Sequence, residues 1–166
     1  MSADRHLFLE FCAEVTGYSP SDLDGTGLVD EYQALVAQQV GPAITKRLYA
    51  TVRRVLTHPP GKAREHAMQV DMIASPTLWP VVTSLIQLWY LGSWTSMAAS
   101  WYALAGEQPP KGVTPGSSHV PSPQAYVEQL AYRAAGAHPP GAKPTGHGSW
   151  AIAPVFGDPV PTEGAT

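Results

Sequence analysis

The sequence predicts an all-α fold, a small helical bundle over residues 1–105 followed in the same domain by a loop, one helix and a long Pro/Gly-rich, largely irregular C-terminal arm over residues 106–166. Three observations carry this prediction. Apolar residues of the first part recur at spacings of three and four, the repeat of a helix with one buried face. The prolines of that part stand where helices begin or end. Of the 17 prolines, 11 fall after residue 105, where proline and glycine interrupt nearly every short segment.

The first helix is expected from Asp4 to Val15, with Leu7, Phe8, Phe11 and Val15 forming its apolar stripe and Gly17 ending it. Ser19-Pro20-Ser21-Asp22 reads as a helix start and Asp24-Gly25-Thr26-Gly27 as a turn, before a second helical stretch from Leu28 to Val40. After Gly41-Pro42, a third helix spans Ala43 to Thr57, with Ile44, Leu48, Val52, Val55 and Leu56 on one side. His58-Pro59-Pro60-Gly61 stops it. A fourth helix spans Lys62 to Ile73, and Ser75-Pro76 introduces a fifth from Thr77 to Leu91. That fifth helix is apolar nearly all round, which places it at the centre of the bundle or on a face shared with a partner. Trp94 to Leu104 reads as a short helical or irregular aromatic segment, Gly106 to Pro123 as a loop, and Pro123 to Ala135 as the last helix. From His138 to Thr166 there is no usable periodicity, so the tail cannot form a core of its own.

A chain of 166 residues can bury one core. Its 14% of charged residues is low for a globular protein, which fits either a monomer with a polar, uncharged surface or a surface partly covered by another protein. With a net charge of −3 and no long basic stripe, the electrostatic footprint of nucleic-acid binding is missing. Lys46, Arg47, Arg53 and Arg54 form the one modest basic group, and their spacing is that of a solvated helix face. No apolar run reaches the ~18–20 residues of a spanning helix, and Met1 to Arg5 does not begin like an export signal. Cys12, the single cysteine, lies among Leu7, Phe8, Leu9 and Phe11 and is expected to be buried; one thiol leaves the compartment undecided.

The search for chemistry finds little. The six histidines (His6, His58, His66, His119, His138 and His147) form no metal-ligand pair or cluster. His58 and His138 each precede Pro-Pro-Gly, where an imidazole caps a helix end; His147, between glycines, stays open to a functional role. Nucleophile elbow, dinucleotide fingerprint and phosphate-binding loop are all lacking. Asp22 and Asp24 flank turns and fall short of a calcium loop.

The aromatic residues ask for an explanation instead. Trp79 and Trp89 on the fifth helix read as core, whereas Trp94, Trp101 and Trp150 lie among loop residues, where a large ring is readily offered to a partner. Three stretches carry a resemblance: Ser84-Leu85-Ile86-Gln87-Leu88-Trp89-Tyr90-Leu91-Gly92, Ala125-Tyr126-Val127-Glu128-Gln129-Leu130-Ala131-Tyr132-Arg133, and Ala137-His138-Pro139-Pro140-Gly141-Ala142-Lys143-Pro144 with Gly146-His147-Gly148-Ser149-Trp150-Ala151. With the opening Phe8 to Gly17, they resemble the small (gamma) subunit of bacterial membrane-bound, flavin-dependent sugar and polyol dehydrogenases of the sorbitol, fructose, gluconate and glucose type.

The resemblance implies a subunit with no catalytic, cofactor-binding or metal-binding residues of its own. Its partners would be a large FAD-dependent catalytic subunit and a multihaem cytochrome c subunit carrying haem c. It further implies an accessory and maturation role in a periplasmic complex at the inner membrane. Small subunits of this kind usually bear a twin-arginine export signal, and no Arg-Arg pair stands near the start here. A tail unable to bury itself gains stability by ordering along a partner. Trp89, Tyr90 and Gly92 are accordingly assigned to the bundle and its contact face, and Trp94, Trp101, Tyr126, His138, Pro139, Gly148, Ser149 and Trp150 to the partner interface. The rival expectations are a free-standing ligand-binding bundle, or a small enzyme with a Trp/His-lined pocket.

Overall fold

The computed structural model describes residues 3–137 and 139, and over these the chain is mostly helical. Helix α1 spans Ala3–Thr16 and ends where Gly17, at φ +75°, donates its N–H to the Ala13 carbonyl at 2.9 Å. The short α2 (Pro20–Asp24) starts at Ser19, whose hydroxyl accepts the Asp22 N–H at 3.1 Å. Helices α3 (Val29–Val40) and α4 (Pro42–Leu56) meet at Gly41, whose φ of +81° turns the chain. α5 (Lys62–Met68) runs into a π-helical turn, Gln69–Ile73.

That π turn has a cause in the sequence. Ala67 and Met72 are both buried, five residues apart. An α-helical repeat would bring Asp71 round over Ala67 instead. The turn closes with the Ala74 N–H on the Gln69 carbonyl, five residues back, at 2.9 Å, which carries Met72 inward. Asp71 pairs outside with Arg54 at 2.9 Å.

Helix α6 (Trp79–Leu91) begins two residues later than the sequence suggests, because Ser75–Leu78 forms a separate turn in which Ser75 Oγ accepts the Leu78 N–H at 3.2 Å. It packs against α1, α3, α8 (Pro123–Val127) and α9 (Leu130–Ala134), as expected of the central helix. Its end, Gly92, is left-handed at φ +62°, and a Cβ there would run into the Ala125 carbonyl, so α6 and α8 touch backbone to backbone.

Two expectations change and one open reading is decided. The loop from Gly106 to Pro123 contains a strand, β2 (Ser118–His119), antiparallel to β1 (Trp94–Thr95), so the chain itself holds the far end of this loop. Trp101 lies on a regular short helix, α7 (Ala99–Ala105). The last helix is two helices, broken where Gln129 adopts extended ψ (135°) and its side-chain amide donates to the Tyr126 carbonyl at 2.9 Å. Ala125 and Leu130 are both fully buried, yet five residues of straight helix would set them about 140° apart. The break lets both face α6.

A single core gathers Phe8, Phe11 and Cys12 of α1, Tyr32 and Val36 of α3, Leu48 and Val52 of α4, and Leu85, Leu88 and Trp89 of α6. Tyr32 and Trp89 meet edge to face at 4.7 Å between ring centres. Ion pairs lie at the periphery, among them Arg5 with Asp24 and Asp30, each at 2.7 Å, and Arg64 with Glu14 at 2.8 Å. Exposed pairs of this kind add little stability. Arg64 also corrects the role expected of His58, because its guanidinium donates to the Leu56 and His58 carbonyls (3.5 and 2.9 Å) and so covers the end of α4. The His58 side chain is exposed.

Candidate partner-binding surface

The tryptophans are distributed differently from expectation. Trp94 is 0% exposed in β1 and Trp101 6% exposed in α7, so both join Trp89 in the core instead of offering rings to a partner. The cause is local. Trp101 and Tyr102 sit edge to face at 5.1 Å on one turn of α7, where Trp101 Nε1 donates to the Thr77 carbonyl at 3.0 Å and the Tyr102 hydroxyl to the Gln39 carbonyl at 3.0 Å. Conversely Trp79, expected in the core, is 37% exposed.

The other expected contact residues divide. Tyr90 is half-buried, its hydroxyl on the Thr16 carbonyl at 2.8 Å and its ring edge-on to Tyr18. Gly92 is a helix end inside the fold, and Pro139 is buried. Tyr126 stays exposed, with its ring edge-on to Tyr132 at 6.1 Å. His138, Gly148, Ser149 and Trp150, and with them His147 and most of the C-terminal arm, lie outside the described residues.

Around Trp79 the surface is apolar and concave. On one side a groove of about 700 Å³ runs between α6 and α7, with Pro76, Trp79 and Pro80 on one wall, Trp101 and Met97 among its lining, and Leu104 beside them. Among the described residues lining it, none is charged. On the other side Trp79 helps line a smaller groove of about 340 Å³ with Val15, Met68, Ile73, Val82 and Ile86, where the carboxylates of Glu14 and Glu65 also stand. Leu104 is 61% and Ile73 42% exposed, so Trp79 is the ridge of a continuous apolar strip. Sequence reasoning missed this strip. Helical spacing gave no sign of it, because Trp79 and Trp89, about 80° apart round the helix, fit within one apolar face.

Burial perturbs titratable groups of the core. Burial pushes the Cys12 thiol up to about 12, and a weak contact with the Trp89 indole, which makes no well-formed hydrogen bond, offsets part of that shift. Burial, with a small contribution from Glu31, raises the Tyr32 hydroxyl, and burial raises that of Tyr102. Such groups are inert packing elements. Among the described residues, no group of three or more His, Cys, Asp or Glu side chains is placed to hold a metal ion, and no helix is long and apolar enough to cross a membrane. Comparison with known proteins finds no matching family, curated protein or solved structure.

Proposed function

We propose that this chain is a non-catalytic accessory and maturation subunit. It binds and escorts the FAD-containing catalytic subunit of a periplasmic sugar or polyol dehydrogenase complex that passes electrons to a multihaem cytochrome c. The observation that carries the binding role is the strip around Trp79, where a tryptophan at the start of the central helix stands out of the core between two apolar grooves. Exposed tryptophans in such settings are typical anchors of protein interfaces. The nature of the partner rests on the sequence resemblance of the segments Ser84–Gly92, Ala125–Arg133 and Ala137–Ala151. The low charge of the chain supports the same reading.

A free-standing ligand-binding protein is the second reading, favoured by the size of the larger groove, about 700 Å³, which suits a small molecule. Affinity capture of the tagged chain, expressed with its neighbouring genes, separates the two. A flavoprotein recovered in stoichiometric amount, and lost with Trp79→Asp, is the expected result. A lone monomer would overturn the accessory role.

A further inference from the structure

We propose that the strip around Trp79 receives an extended, proline-rich segment of the partner protein with a Lys or Arg at one end. The inference rests on the accessory reading and names the kind of segment the partner contributes. It begins with the hydrogen-bonding groups of the larger groove. Thr83 Oγ1 donates to the Trp79 carbonyl at 3.0 Å, Ser84 Oγ to the Thr95 carbonyl at 2.9 Å, and Thr95 Oγ1 lies 3.1 Å from Gln87 Oε1. The indole N–H of Trp79 and the hydroxyl of Ser100 are left without a partner among the described residues. Trp79 can only donate.

A groove walled by Trp, Pro, Met and Leu, with a free indole donor, fits a chain that offers carbonyls and few N–H groups. A polyproline II segment is such a chain, since its prolines have no N–H and its carbonyls point outward unpaired. Aromatic-lined grooves read these segments elsewhere, and the ligand's low conformational entropy favours binding.

Charge gives the direction. The larger groove has no charged lining among the described residues, whereas across the Trp79 ridge the smaller one carries Glu14 and Glu65. Glu14 is paired with Arg64 at 2.8 Å; Glu65 is in no ion pair among the described residues. A segment lying with its prolines between Trp79 and Leu104 therefore places a cationic end over Ile73 and Met68, against the Glu65 carboxylate.

The test is calorimetric titration of the full chain with the synthetic peptide APPLPPRP, its Arg-to-Glu counterpart and an alanine-for-proline control. Saturable binding of the first peptide is expected, with at least a tenfold loss in Trp79→Ala. A smaller loss in Trp79→Phe is expected, since it keeps the ring and removes the N–H. Glu65→Lys should weaken the Arg peptide about fivefold and leave the Glu peptide no worse. No saturable binding, binding unchanged by Trp79→Ala, or equal binding of the alanine control would overturn the proposal. So would a Trp79-dependent dimer in sedimentation, which would make a second copy the occupant. Flavoprotein capture with peptide binding absent would leave the accessory role standing and reject only this segment.

Discussion

The Trp101 indole N–H donates to the carbonyl of Thr77 at 3.0 Å, and this bond ties α7 to the turn that launches α6. Both residues are buried, so the carbonyl has no water to fall back on. Trp101→Phe keeps most of the ring and removes the donor. The expected cost is about 1–3 kcal/mol in urea denaturation. Trp79→Phe, at an exposed position, is expected within about 0.5 kcal/mol of the parent. Equal costs for the two would contradict the burial pattern described for them.

Gly92 and Gly17 both end helices in the left-handed conformation but differ in surroundings. Open space surrounds Gly17, whereas Gly92 lies against the Ala125 backbone. Gly17→Ala is expected to cost about 1–2 kcal/mol, the conformational part alone. Gly92→Ala should cost distinctly more, by a further 1–3 kcal/mol or so, because α8 must move away. Thermal unfolding of the two variants side by side measures the difference.

Cys12 predicts a pH dependence. Its thiol is raised by burial from an ordinary 9.0 to about 12, so the folded chain holds the proton where the unfolded chain gives it up. The stability this contributes is complete below about pH 9 and is lost as pH rises toward 12, with a slope approaching 1.4 kcal/mol per pH unit. Tyr32, also raised, adds a loss of the same sign at higher pH. Cys12→Ala should therefore flatten the decline between about pH 9 and 10 in denaturation curves. At pH 8 the native thiol should react with an aromatic disulfide reagent only at the rate of unfolding; fast reaction would show the site to be open.

Glu107, just after α7, reaches the start of α4, where Oε1 accepts the Ala43 N–H at 2.8 Å. A carboxylate there satisfies an open donor and complements the helix dipole. Glu107→Ala is expected to cost about 1 kcal/mol, and Glu107→Gln, which keeps an acceptor but no charge, about half of that. An unchanged denaturation midpoint in both variants would show that the contact does not hold in solution.

Most helix positions up to Leu91 were legible from an apolar stripe or from a bounding glycine or proline; the π turn at Gln69–Ile73 and the separate turn before α6 were not. The two-residue strands β1 and β2 were not, since two residues have no period and their pairing spans the loop between them. The break at Gln129 was hidden for a different reason: Pro123 to Ala135 keeps helical spacing throughout, and only the demand that Ala125 and Leu130 both reach α6 divides it. The exposure of the tryptophans was misjudged, since Trp94 and Trp101 are buried and, among the described tryptophans, Trp79 is the exposed one. Local composition marked Trp94 and Trp101 as loop residues, but Trp101 is anchored by Thr77, distant in sequence, and Trp94 by the core. Among the described expected anchors, Tyr126 is the aromatic residue that remains exposed.

The π turn at Gln69–Ile73 bears on how the length of this chain can vary. Removing Val70, which is exposed, would bring Met72 to the fourth position after Ala67, and an ordinary α-helix would then bury the same two side chains. The turn thus behaves as a single inserted residue absorbed by the backbone. A chain without Val70 would keep its hydrophobic interior here as it is.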